Sequence, residues 1–465
     1  MRRSYSVIAI LLVLVMVFVA CTPAADQTDQ PDTPPVATEE VDTPDESGTP
    51  DETEMLSETP AIPTIPEVSV EFGNKPFADH TQISIATALG WPADIGITIT
   101  PDPTGRNVPA ESAIPIFAGG EVDILSGSVP LLLGAAGTMP SFKQFFNADI
   151  FMGYALLARP DMDFRSFTDF VEDGYSMEEA MSMAVNQMEG HRFAYPAETA
   201  IQGFINLVLS RGDLEEGDFE ATIAEDARTI AMMIAGHADF QVGGVPARLT
   251  LQEEGFIPII TSGDLAALAS PSPESEELRA IFWDGWLAHD EWIEANWDTV
   301  LRMSGLGWRI NQLIVDDPHE ALSHHLPVLN SFAGTNITVE GGLIAYLYLH
   351  PFYTFEMTAA IFDNANPMSD ENIIGSYIMM WEEQGHFEPG QWVAEDFSIA
   401  QQVYEVMRDY KAQAEADIAT VEQMGTDSAT AQEMLSQAQF HLSIFNFLDA
   451  ARFAQAAVEW AEFES

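Results

Sequence analysis

Two stretches of the chain, Phe117 to Leu133 (FAGGEVDILSGSVPLLL) and Ile234 to Leu249 (IAGHADFQVGGVPARL), are near copies. Gly120, Asp123, Gly127, Val129 and Pro130 of the first fall on Gly236, Asp239, Gly243, Val245 and Pro246 of the second. The shared pattern, G-x-x-D-(I/F)-x-x-G-x-V-P, reads as a helix ending at glycine, a short buried strand, and a glycine-rich loop opening the next helix. The chemistry open to such a loop is recognition, because free backbone N–H groups at a helix start can hold a polar or anionic ligand. Two ordinary βα turns would give the same pattern. Two copies in one chain point instead to similar half-domains that each offer a loop to something between them. Motifs for catalysis are not found. The single cysteine, Cys21, lies at the end of a leader, and neither a G-x-S-x-G elbow nor an H-E-x-x-H pair occurs. His319, His324 and His325 cluster on an expected helix, but adjacent residues point to different faces. No metal, no cofactor and no enzymatic activity are expected.

The elements that must position these loops alternate along the chain. Val68 to Phe72 reads as a strand, GNKPFADH as a loop, His80 to Leu89 as a helix stopped by Gly90-Trp91-Pro92, and Ile95 to Thr100 as a second strand. A helix around Ala110 to Ala118 leads into the first repeat, and Phe142 to Phe146 and Phe151 to Ala158 follow as strands. Arg159-Pro160-Asp161 marks passage into a second lobe, with a helical excursion over Phe167 to Met188. The unit then starts again: strand Arg192 to Tyr195, loop Pro196 to Thr199, helix Ala200 to Leu209, strand Glu220 to Ile223, helix Ala227 to Ala235, second repeat. Phe256 to Gly263 reads as the strand that returns to the first lobe. The expected fold is α/β, a two-lobed clamshell with mainly parallel sheets, in which ligands sit at the carboxyl ends of the strands.

From Glu276 the chain reads as mainly helical. ELRAIFWDGWLAHDEWIEAN is expected to be an amphipathic helix whose Trp283, Trp286 and Trp292 pack or line a cleft. After Phe397, Ala414 to Met424 and Ala429 to Phe463 suggest a helical hairpin that buries Phe440, Ile444, Phe447, Leu448, Phe453 and Val458. It serves either as a docking module or as a brace. The domain plan is therefore 1–21 leader, 22–66 tether, 67–158 with 259–396 as lobe 1, 159–258 as lobe 2, and 397–465 as hairpin.

The amino terminus is of a different kind. Arg2 and Arg3, an apolar run from Val7 to Val19, and Phe18-Val19-Ala20-Cys21 have the form of a lipoprotein signal peptide, with Cys21 the expected site of lipidation. Thr22 to Pro66 carries 12 acidic residues, no basic ones, and many Pro and Thr, which suits an extended tether. Setting aside those acids and the two leader arginines leaves 61 acidic against 15 basic residues. That balance excludes nucleic acid and close adsorption to anionic lipid as partners. It suits a salty exterior or serves only to keep the protein soluble.

Taken together, Val68 to about Phe397 resembles the substrate-binding proteins of ABC importers, in the branch that binds taurine, alkanesulfonates, nitrate or thiamine-precursor pyrimidines. The residues carrying the resemblance are ITITPDPTGRNVPAESAIPIFAGGEVDILSGSVP, YALLARPDMDFRSFTDF, GHRFAYPAETAIQGFINLVLSRG and MMIAGHADFQVGGVPARLTLQEEGF. The resemblance implies a periplasmic-binding-protein-like clamshell of type II, a small organic solute, an ABC permease as partner, and a lipid-anchored monomer outside the cytoplasm. It covers about 70 per cent of the chain and leaves the C-terminal hairpin outside. Relatives on this fold include desulfinases and a pyrimidine-forming protein, so an enzyme is the lesser alternative. A ligand-sensing receptor or scaffold is the other.

By position, the resemblance implies a cleft lined by four loops. The first holds Phe77, Asp79, His80 and Thr81, and the second Ser126, Gly127 and Ser128. Ala197, Glu198 and Thr199 form the third, and Gly243, Gly244 and Pro246 the fourth, with Arg248 nearby. Ser126, Ser128 and Thr199 either donate to the ligand or cap their helices. Arg248 either pairs a ligand anion or faces solvent. Asp79 and Glu198 would repel a sulfonate or nitrate, which favours a neutral or cationic solute. Phe77 or Tyr195 either stacks on a flat ring or belongs to the core.

Overall fold

In the computed structural model, residues 59–196, 199–215 and 217–465 are described, so Cys21, most of the tether and Glu198 lie outside the described residues. Eleven strands form two mixed sheets. They are β1 Val68–Asn74, β2 Ile97–Thr100, β3 Arg106–Asn107, β4 Ile124–Gly127, β5 Phe142–Phe151, β6 Ala155–Ala158, β7 Arg192–Tyr195, β8 Glu220–Ile223, β9 Phe240–Gly243, β10 Ile257–Thr261 and β11 Phe282–His289. The first sheet runs β2-β1-β4-β11-β5, with β3 also on β1, and the second runs β10-β6-β9-β7-β8. Strands joined through βα units pair in parallel: β1 with β2, β3 and β4, and β7 with β8 and β9. The strands at the crossings pair antiparallel: β11 with β4 and β5, and β6 with β9 and β10. The chain therefore passes between sheets twice, at 152–154 and between β10 and β11. This is the expected α/β clamshell.

Both repeats take the expected form. Helix Ala113–Ala118 stops before Gly120 at φ 66°, β4 follows, and helix Val129–Leu132 starts after Ser128. Helix Asp226–Ile234 stops before Gly236 at φ 71°, β9 follows, and helix Ala247–Glu253 starts after Pro246. Glycine is needed at both stops because the backbone is left-handed there.

Four expectations fail. The passage into the second lobe comes before Arg159-Pro160-Asp161, at 152–154, because Ala155–Ala158 already pairs with β9 and β10 in the second sheet. Residues 256–263 do not return to the first lobe, because β10 adds to the edge of the second sheet beside β6. The stretch around Trp283 and Trp286 is no amphipathic helix: after a short 3₁₀ turn it forms β11, between β4 and β5. All but the last residue of β11 are buried, so the strand shows no alternation, and its apolar run fits a helical period equally well. Trp283 and Trp286 are both packing residues at 2% exposure.

The carboxyl terminus has three helices where two were expected: Ala400–Met424, Ala429–Ser443 and Phe447–Phe463. The break falls at Phe445, at φ 65°. It changes the phase of the apolar stripe, so Phe440 is 43% exposed while Ile444, Phe447, Leu448 and Phe453 are buried. Val403, Met407, Phe447 and Leu448 share one core with Phe146, Trp286 and Trp308 of the first lobe. Arg302, fully buried, donates from Nε to Asp449 Oδ2 at 3.0 Å and from Nη1 to Pro66 O at 3.2 Å. The last tether residues are thus docked, with Ile65 packed against the C-terminal helices.

Candidate functional site

The loops that leave β1, β4, β7 and β9 all start at carboxyl strand ends, and a cleft of about 1050 Å³ opens between them. Lys75, Pro76, Phe77, Gly127 and Ser128 line it from the first lobe. Pro196, Ala224, Glu225, Asp226, Pro246 and Thr250 line it from the second, and residues 332–336, at the end of helix Pro318–Ala333 and just beyond it, close one side. The volume is that of a small-molecule site.

The expected site residues divide. Phe77, Gly127 and Ser128 line the cleft. Ser128 precedes its helix without capping it, and its buried Oγ has no hydrogen-bond partner. Asp79, His80 and Gly244 border a smaller cavity of about 20 Å³ that shares Phe77, Leu131 and Asp226 with the cleft. Thr81 is fully buried and engaged internally, with Phe77 O at 3.1 Å and His325 Nε2 at 2.6 Å. Ser126 and Gly243 lie buried inside their strands. Thr199 begins helix Thr199–Ser210. Arg248 is 8% exposed and not at the solvent face: its Nη1 donates to Gly153 O at 3.2 Å and to Tyr154 O at 3.4 Å. It fastens the crossing segment. Tyr195 is 2% exposed and packs on Phe193 in the core.

No protein-family model matches the sequence, and no curated protein matches it. Solved structures with a similar chain path include the periplasmic aliphatic sulphonate-binding protein SsuA from Escherichia coli. That one is 11% identical with a TM-score of 0.46, over 72% of this chain and 98% of its own. The periplasmic nitrate-binding protein NrtA from Synechocystis PCC 6803 is 10% identical with a TM-score of 0.49, over 73% and 89%. The desulfurization enzyme DSZB is 11% identical with a TM-score of 0.44, over 72% and 95%. These likenesses are of chain path, not of ligand.

Sequence reasoning missed Lys75 as a site residue, although its place directly after β1, at a carboxyl strand end, was a usable signal. Its side chain is 3% exposed, and a Cβ added at Gly127 would meet its Nζ at 3.6 Å. Lys75 thus packs directly against Gly127. The walls also carry Glu111, Glu225 and Asp226. The backbone donors are fewer than expected, since Val129 N–H is taken by Gln144 Oε1 at 3.2 Å. The helices that follow β1, β4 and β9 have six, four and seven residues, too short for much of a macrodipole.

Behind the cleft lies a buried polar network, also missed because its members are far apart in sequence. Asp79, His80, Asp149, Asp284, His325 and His350 are all at most 3% exposed. His350 Nδ1 stands 3.1 Å from Asp149 Oδ2, whose partner oxygen accepts from Gln82 Nε2 at 3.2 Å. Burial drives Asp149 up to about 7, against its hydrogen bond with His350. Burial, with Asp79 alongside, also lifts Asp284 well above the usual carboxylate range. At Asp79 the burial penalty is outweighed by His80 and His350, and the carboxyl is held low. Burial keeps His80 far below the usual imidazole range, with Asp79 opposing. His324 and His325 point to different faces, as their adjacency implied: His325 is buried and bonded to Thr81 and Tyr346, while His324 pairs with Glu320 at the surface.

Proposed function

We propose that this protein is an extracytoplasmic solute-binding protein that closes its two lobes on a small organic molecule and presents it to an ABC permease. The observation that carries the reading is the cleft itself. It lies at the carboxyl ends of both sheets and takes its walls from both lobes, and among the described residues the chain passes between the two sheets twice. Such a layout suits a closing motion about the crossing segments, with ligand shifting the population toward the closed state. Glu111, Glu225 and Asp226 on the walls set against Lys75 favour a neutral or cationic solute with one acceptor group directed at Lys75 and Ser128. Phe77 offers a ring for stacking. The lipid anchor at Cys21 completes the proposal: among the described residues no helix is long and apolar enough to cross a membrane, and an acylated tether would hold the clamshell at the bilayer surface.

The test is native mass spectrometry of a soluble fragment starting at Thr59, which keeps Ile65 and Pro66 docked. A stoichiometric organic adduct that is lost in Lys75→Gln supports the reading. Protein that is empty, and shows no thermal shift against sulfonates, nitrate, pyrimidines and amines, overturns it.

A further inference from the structure

Asp79, His80 and Asp284 lie behind the cleft at 3%, 2% and 0% exposure, and the role of the cleft does not account for them. Asp79 and His80 sit in the loop after β1, and Asp284 sits mid-strand in β11, which β4 separates from β1. His80 Nε2 stands 3.8 Å from Asp79 Oδ1 and 3.6 Å from Asp284 Oδ1. One ligand atom from each residue falls within 4.8 Å of the others. Two ligands on a tetrahedral ion with bonds of about 2.0–2.1 Å are separated by about 3.4 Å. The two separations from His80 are therefore within a few tenths of an ångström of that spacing, and the third lies within the same 4.8 Å limit.

The hydrogen bonding supplies a second observation. Asp79 Oδ1 and both oxygens of Asp284 are buried without a hydrogen-bond partner. Acceptors left like this in a dry interior are costly, and a cation would satisfy all three. Supporting contacts lie on the far side: Asp79 Oδ2 is 3.8 Å from His350 Nδ1, which is held by Asp149 Oδ2 at 3.1 Å. Carboxylate–histidine contacts of this sort orient metal ligands. The cavity of about 20 Å³ beside Asp79 and His80 has room for one water. Lys75 acts on Asp79, Asp284 and His80, so an ion here would share the two carboxyl groups with the lysine. One imidazole and two carboxylates suit a first-row ion better than Ca²⁺ or Mg²⁺, which want six or more oxygens.

We propose that Asp79, His80 and Asp284 bind a divalent first-row transition ion of the Zn²⁺ class, with a water in the adjoining cavity as fourth ligand. The ion would fill the space among the three unpartnered oxygens, with its open position at the small cavity that Asp79 and His80 line.

The experiment uses the full chain, stripped with a chelator and titrated with Zn²⁺ by calorimetry, with bound metal measured by elemental mass spectrometry. One equivalent is expected, with affinity falling at least about tenfold in Asp284→Asn and in His80→Gln. His324→Gln, in the surface pair, should leave binding unchanged. Co²⁺ loaded into the unaltered chain should give the strong visible bands of a four-coordinate ion, a readout that needs no variant to fold. Absence of stoichiometric uptake, uptake indifferent to both substitutions, or a weak six-coordinate cobalt spectrum overturns the proposal.

Discussion

Asp123 and Asp239 do the same work in the two lobes. Each receives the backbone N–H of one residue on the neighbouring parallel strand, Glu71 at 2.8 Å and Arg192 at 3.1 Å. Each returns its own N–H to that residue's carbonyl, at 2.8 and 2.9 Å. The aspartate of the repeat is therefore a clamp that closes a parallel ladder, at the end of the strand away from the cleft. The difference is that Asp239 also takes the Arg192 guanidinium, at 2.6 and 3.0 Å.

Asp123→Ala should cost about 1 kcal/mol, the usual net worth of one hydrogen bond, and Asp239→Ala about 2–3 kcal/mol because charged partners are lost as well. Urea denaturation of both variants measures this. Equal losses would show that the arginine contributes nothing.

Gly285 faces Phe146 so closely that any Cβ would overlap its carbonyl oxygen, and the ladder of β11 with β5 shifts register there. Gly285→Ala should destabilise the first lobe by about 3 kcal/mol or more through overpacking in the middle of a sheet. A thermal midpoint unchanged from the parent would refute the tight approach.

Arg302 and Asp449 pair with both side chains at most 2% exposed. Arg302→Ala leaves the buried Asp449 carboxylate to Asn446 Nδ2 at 2.8 Å and the more distant Arg452 Nη1 at 3.5 Å, and should cost about 3 kcal/mol. Arg302→Met combined with Asp449→Leu should recover most of that loss. If calorimetry finds the double variant no better than the single, the pair is needed for positioning rather than for charge balance.

His325 is held down to about 3 by burial, from 6.5. In the unfolded chain it takes a proton below 6.5, while the folded chain does not accept one until about 3. Its contribution is therefore fully present above pH 6.5 and is lost as the pH falls, by up to about 1.4 kcal/mol per pH unit. His325→Gln should be less stable at neutral pH, and its stability should fall less steeply on acidification. Parallel pH profiles for parent and variant would contradict the assignment.

The repeats, the βα units and the glycine stops were legible because each is a local device. Gly120 and Gly236 mark a left-handed backbone, β1 sits close to where alternation placed it, and β7 and β8 lie where the restart of the unit placed them. Local signals failed at β11, whose two faces are both covered, and at Phe445, where the helix breaks against the close approach of Gly305 to the Phe445 carbonyl. Part of the cleft was legible too, in Phe77, Gly127 and Ser128. Arg248 was not, because nothing near it in sequence shows that the carbonyls of Gly153 and Tyr154 arrive at its side chain.

The sequence by itself determined the two half-domains, their βα loops and the acidic composition, since these depend on residues a few positions apart. Only the tertiary structure decided that Asp284 reaches Asp79 and His80, some two hundred residues away. That contact requires β11 to insert beside β4 with its aspartate turned inward. Strand order and register, set by the packing of both sheet faces, fix such a meeting, and no local period encodes it.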